Sequence, residues 1–191
     1  MAATVITGAG QVQDSDYRYV KWVGKTKGGQ AVQIELPVAF CKSNPEWTFE
    51  EKNETTAAVE FEGVYEDEKL EADDRTEPWK LTSPDGVTAG NGEIILGVGR
   101  FYIGTNAGDA EKVGLTRGGG SFVVEREYRD INADDDPGSV KGRISKDTAR
   151  PKLTFTALQW LSKTSKLYSC ITTAPAAMSA NAGQTSQTTG K

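Results

Sequence analysis

Ala31-Val32-Gln33-Ile34-Glu35-Leu36-Pro37-Val38-Ala39-Phe40 decides the fold class. Val32, Ile34, Leu36, Val38 and Phe40 alternate with Gln33, Glu35, Pro37 and Ala39, the period of a strand with one buried face. Lys27-Gly28-Gly29-Gln30 just before it supplies a turn, and Tyr17 to Val23 before the turn reads as a partner strand. Residues 17–40 therefore predict a β-hairpin. Pro37 cannot donate to a ladder, which marks an edge or a bulge at that point.

The same period recurs outward from the hairpin. Trp47 to Glu50 reads as a short strand, and Thr56 to Tyr65 as another, with Val59, Phe61, Gly63 and Tyr65 alternating with Glu60, Glu62, Val64 and Glu66. Asp67 to Thr76 is acidic and aperiodic, a solvated connector, and residues 82–92 carry Pro84, Gly86, Gly90 and Gly92, a linker. Beyond it, Ile94 to Ile103, Ser121 to Ile131 and Lys152 to Leu158 read as strands. Asn132 to Gly138 is too polar for an element and predicts a long hairpin loop returning through Val140 to Ile144. Leu161, Tyr168 and Ile171 are spaced for one apolar face, so Ser162 to Ile171 predicts the single helix. Residues 173–191 are a Ser/Thr/Ala/Gly/Gln tail that cannot form a core by itself.

Composition agrees with a mainly β domain. The 191 residues include 21 glycines, suited to strands joined by tight turns, and suffice for one well-packed core. No apolar run approaches the roughly 18 residues of a membrane span, and the first residues lack a leader pattern, which predicts synthesis in the cytosol. The absence of histidine removes the usual triads, most zinc sites and the proton shuttle of neutral pH, so no enzyme activity is expected. Cys41 and Cys170 have no metal-ligand spacing and read as buried thiols. Residues 1–90 hold 9 basic and 17 acidic side chains, residues 91–191 hold 13 and 10, a division of −8 and +3. An acidic whole argues against a grip on nucleic acid, which needs clustered Lys and Arg.

Local motifs are weak. Gly24-Lys25-Thr26 has Tyr19 where a phosphate loop needs glycine, and Gly97-Val98-Gly99 lacks the third glycine of a dinucleotide fingerprint. Asp130 to Asp136 has oxygen ligands but neither the glycine nor the closing glutamate of a calcium loop. Gly114-Leu115-Thr116-Arg117-Gly118-Gly119-Gly120 reads either as a flexible turn or as a place of close backbone approach.

Together with their spacing, several segments resemble a siphophage-type bacteriophage tail tube (major tail) protein. Gly97 to Ile103, Val113 to Gly119, Val124-Glu125-Arg126-Glu127-Tyr128-Arg129, Val140-Lys141-Gly142 and Leu153-Thr154-Phe155-Thr156 resemble one half of it. Val32 to Phe40 and Val59 to Glu66 resemble the other, so that the likeness covers most of residues 17–172. The halves stand in the opposite order to that family, as if the chain were permuted across residues 82–92.

The resemblance implies a single β-sandwich or barrel-like domain over residues 1–172, made of halves 1–81 and 93–172, with one flanking helix and residues 173–191 as an extended tail. It implies a virion structural subunit, without cofactor or metal, that forms hexameric rings stacked into a tube for DNA ejection. Its partners would be further copies of itself and the tape measure, tail terminator and tail tip proteins; DNA would pass without specific binding. Glu60 and Glu62, whose neighbours Val59 and Phe61 face the core, are lumen-lining candidates with Thr154 and Thr156, and predict an acidic wall that repels DNA. Asp130, Asp134, Asp135 and Asp136 mark a loop reaching a neighbouring subunit. Asp67, Asp73 and Asp74 are expected to face Arg117, Arg143, Lys146 and Arg150 of the next ring. The competing readings are a β-sandwich binding or decoration module using Trp22, Trp47, Trp79 or Trp160 as an aromatic platform, and the tube of a contractile or secretion apparatus.

Overall fold

The computed structural model describes residues 4–46, 55–66, 76–84, 95–134, 138–158, 167–169 and 171–175. It is mainly β. In chain order the elements are β1 (Thr4–Gly8), a 3-10 turn (Asp14–Asp16), β2 (Tyr17–Thr26), β3 (Ala31–Cys41), β4 (Ala57–Gly63) and β5 (Lys80–Thr82). Then follow β6 (Ile95–Gly104), β7 (Glu111–Lys112), β8 (Thr116–Asp130), β9 (Ile144–Ala157) and β10 (Ile171–Pro175). One antiparallel sheet runs β7-β6-β2-β3-β4-β9-β8, with β5 sharing the edge of β3 beside β4. Strands from both halves of the chain thus interleave in a single sheet, while β1 and β10 pair only with each other.

The β2–β3 hairpin forms as expected, turning where the Gly29 N–H donates to the Thr26 carbonyl at 2.9 Å, with Gly29 at φ 84°. Pro37 does sit in a bulge. Arg18 opposes Ala39 and Val20 opposes Leu36, so Pro37 and Val38 together face Tyr19. The extra residue reverses the phase of the strand, because side chains alternate with period two. Val32 and Leu36 point into the core before the bulge, and Ala39 and Cys41 after it. The expectation that Val38 and Phe40 share the face of Val32 is corrected accordingly; Phe40 packs instead against Tyr17, ring centroids 5.7 Å apart.

Val20, Leu36, Val59, Phe61, Phe101, Leu153 and Phe155 meet in the core. Each large apolar side chain buried there contributes about 1.5–3 kcal/mol. β6 and β9 are four places apart in the sheet, which on a flat sheet would separate them by roughly 19 Å. Yet the rings of Phe101 (β6) and Phe155 (β9) stack with centroids 4.3 Å apart. The sheet therefore curls over its own core. The glycine run makes this approach workable: Gly118 and Gly119 take positive φ in a bulge of β8, and a Cβ on Gly120 would overlap Phe101 and the Thr154 carbonyl. The close-approach reading holds at Gly120, whereas Gly118–Gly120 lie within β8 and not in a turn. Gly24 and Gly99, paired across β2 and β6, form a shelf under the Trp22 indole, which a Cβ at either would overlap.

Gly24-Lys25-Thr26 lies within β2 and no helix follows it, as expected. The C-terminal elements differ from expectation. Of the expected helix, residues 162–166 and 170 lie outside the described residues; Leu167 is helical, and Ile171 opens β10 rather than ending a helix. The tail begins later than residue 173, because Thr173–Pro175 pair with Thr4–Ile6, whereas 176–191 lie outside the described residues. Trp47 to Glu50 and residues 85–92 of the linker also lie outside them.

Candidate assembly surface

The register of β4, β9 and β8 builds one polar face. Glu60 opposes Thr154 and Glu62 opposes Lys152 across β4 and β9, while Ser121 and Arg117 of β8 oppose Thr154 and Thr156. Directly opposed residues share a face, as do alternate residues of one strand, so Glu60, Glu62, Thr154 and Thr156 stand together behind Val59, Phe61, Leu153 and Phe155. The Ser121 and Thr154 hydroxyls are 2.6 Å apart and hydrogen-bonded.

This face is not the acidic wall expected from Glu60 and Glu62. Lys42 pairs with Glu62 at 2.8 Å and leaves that side chain largely buried, and Lys152 pairs with Glu125 at 2.8 Å. The hydrogen bond that Lys152 donates to Glu125 holds its ammonium above its ordinary pKa. Arg150 opposes Glu125, and Arg117 sits at the base of the same face. Opposite charges alternate across it, and pairs this exposed add little to stability. The result is a polar, nearly charge-balanced surface.

The outer part of the β8–β9 hairpin projects from this sheet as an arm. From Glu125 to Asp130 every residue of β8 is exposed, and Tyr128, Ile131 and Ile144 are 61%, 56% and 54% exposed. At its tip the Ile131 N–H donates to the Arg143 carbonyl at 2.8 Å, and the Ser139 hydroxyl donates to Asp130 at 2.7 Å. Asp134 is exposed, and Asp135 and Asp136 lie outside the described residues.

Glu77 ties the arm to the body. Arg126 donates to it from Nε and Nη2, each at 2.8 Å, and Lys146 from Nζ at 2.8 Å. The Trp79 indole N–H adds a fourth donor at 2.6 Å, while the Trp79 ring packs on Phe122 at 5.4 Å. Arg126 above all, with Lys146 and Trp79, holds the Glu77 carboxyl far below the usual carboxylate range. Sequence reasoning missed Glu77, whose partners stand 49 and 69 residues away. Its signal is Glu77-Pro78-Trp79, a rigid aromatic step closing an acidic stretch.

The basic residues expected to face the next ring do not form one patch. Arg117 lies opposite Thr156 at the base of the hairpin and Arg143 beyond its far end, about 40 Å away along β9. Lys146 is engaged by Glu77 within the chain, and Asp67, Asp73 and Asp74 lie outside the described residues. Trp22 and Trp79 both lie against the sheet rather than forming a flat exposed platform, and Trp47 and Trp160 lie outside the described residues. Among the described residues no three His, Cys, Asp or Glu side chains converge as metal ligands. Comparison with protein family models, with curated proteins and with solved structures finds no match to this chain.

Proposed function

We propose that this chain is a structural subunit that assembles into rings stacked as a hollow tube, the role implied by its resemblance to siphophage tail tube proteins. The observation that carries the reading is the arm. A two-stranded ribbon is marginal by itself in water, and this one holds Tyr128, Ile131 and Ile144 exposed, so a neighbouring molecule is its natural support. The polar face of β4, β9 and β8 supplies a surface with no broad basic patch, fit to line a passage through which DNA moves without adhering. The curl of the sheet over Phe101 and Phe155 supports the barrel-like core that such subunits would use.

In this reading rings are made of identical copies in head-to-tail contact, with six as the family number, and the assembly belongs to a virion tail. Deleting Ala133 to Gly138 tests it: the shortened chain stays folded by circular dichroism and sediments as a monomer where the full chain polymerises. Unchanged polymerisation would remove the arm from the account.

A further inference from the structure

β7, β6, β2, β3 and β5 lie side by side in the sheet. Their register draws Lys112, Tyr102, Lys21, Glu35 and Lys80 into one row on the face away from the core. The next row holds Arg100, Val23, Gln33 and Thr82, and Lys25 follows opposite Ala31. None of these residues is buried, and Lys25, Lys80, Arg100 and Lys112 are exposed. Five cations and one carboxylate give these rows a charge of +4, on a chain whose net charge is −5. The carboxylate is itself compensated, because Glu35 stands between Lys21 and Lys80 and accepts from the Tyr19 hydroxyl at 2.8 Å. Lys21 lies over the rings of Tyr102 and Tyr19, 5.6 and 5.9 Å from their centroids, which holds its ammonium at the middle of the row.

We propose that this face binds the phosphate backbone of a nucleic acid without regard to base sequence. Lys112 and Lys80 stand four strands apart, a span of roughly 19 Å along which a nucleic acid presents several phosphates. A basic sheet face with tyrosines interleaved suits such a chain, since its cations replace the counterions that the backbone otherwise condenses. A second copy of this chain is the poorer occupant. The exposed carboxylates of its arm are already paired, Glu125 with Lys152 and Asp147 with Arg129, and Val23 is the only aliphatic side chain in the two full rows for a protein to cover. Net charge hides the face, because Lys21, Lys80 and Lys112 are far apart in the sequence and meet only through register. These rows lie on strands other than β4, β9 and β8, so the inference goes beyond the assembly reading and does not rest on it.

Fluorescence anisotropy tests it with a labelled thymidine homopolymer of about 16 nucleotides and, separately, a duplex of the same length. The full chain should bind with a Kd of about 10⁻⁶–10⁻⁴ M. For the single strand, log K should fall against log salt with a slope of about −2 to −3, the value for three or four phosphates; a steeper slope for the duplex would show that it engages the face as well. In about 0.1 M salt, where distant charges are screened, Arg100→Glu with Lys80→Glu should weaken binding by about tenfold or more. The charge-matched pair Arg129→Glu with Arg150→Glu, on β8 and β9, should change it by less than about threefold. Circular dichroism checks each fold. Should the first pair fail to fold, acetylation of the wild type decides: saturating oligonucleotide should protect Lys21, Lys25 and Lys80 when the modified peptides are read by mass spectrometry. Absence of binding to either probe, equal losses in the two pairs, or unprotected lysines would overturn the proposal. So would a first pair that binds like the wild type yet no longer self-associates, since the face would then meet a second copy.

Discussion

Glu77 and Arg126 are joined by two hydrogen bonds of 2.8 Å, which, with Lys146 on Glu77 and Trp79 on Phe122, tie the segment before β5 to the β8–β9 hairpin. Replacing Glu77 with Gln removes the charge and keeps the shape. Hydrogen exchange should then speed up in residues 122–130 and 144–150 and stay unchanged in β2 and β3. Because the folded pKa of Glu77 is depressed, its contribution is present above the ordinary glutamate value, about 4.3, and fades as pH falls below it. Wild type should therefore loosen at the arm on acidification, and Glu77→Gln should be already loose and lack that dependence.

Trp22 and Gly99 are coupled through the shelf. Gly99→Val forces a Cβ into the indole and should cost about 1–3 kcal/mol in denaturant unfolding. In a Trp22→Ala background the same change should cost much less, since the obstacle is gone. Additive effects in that double-mutant cycle would count against the shelf.

The curl of the sheet depends on Phe101 and Phe155. Phe101→Ala should destabilise by about 3–5 kcal/mol, the range for deleting a buried phenyl ring. A loss below about 1 kcal/mol would mean that the stacking does not hold β6 over β9.

Cys41 offers a pH test of the core. Burial pushes its thiol up to about 11, and the Ser169 hydroxyl accepts from its backbone N–H at 3.1 Å. Iodoacetamide at pH 8 should leave the Cys41 peptide unlabelled in the native protein and label it after denaturation. Rapid native labelling would show the packing between β3 and residues 167–169 to be open.

How much of this was legible in the sequence follows from what each feature depends on. The β2–β3 hairpin and the inward Val59 and Phe61 follow from local alternation and a glycine turn, and the structure keeps them. Pro37 announced a bulge, but the phase reversal that sends Phe40 away from the core depends on how many residues face Tyr19, which only the partner strand decides. β5 and β7 are three and two residues long, too short for a period, and form because an edge of β3 or β6 stands beside them. Thr173–Pro175 read as tail because small polar residues hide a strand whose partner, β1, is at the other end of the chain. Balance on the polar face was hidden in the same way: Glu60 and Glu62 were visible as a pair, whereas Lys42 and Lys152 join them only through register.

Self-assembly is the central claim, and negative-stain electron microscopy of the purified full-length chain over a range of concentrations tests it most directly. The account predicts rings and hollow tubes that shorten as ionic strength rises and screening weakens the charged contacts between copies. A field of single compact particles at every concentration and salt, matched by monomeric sedimentation, would contradict it.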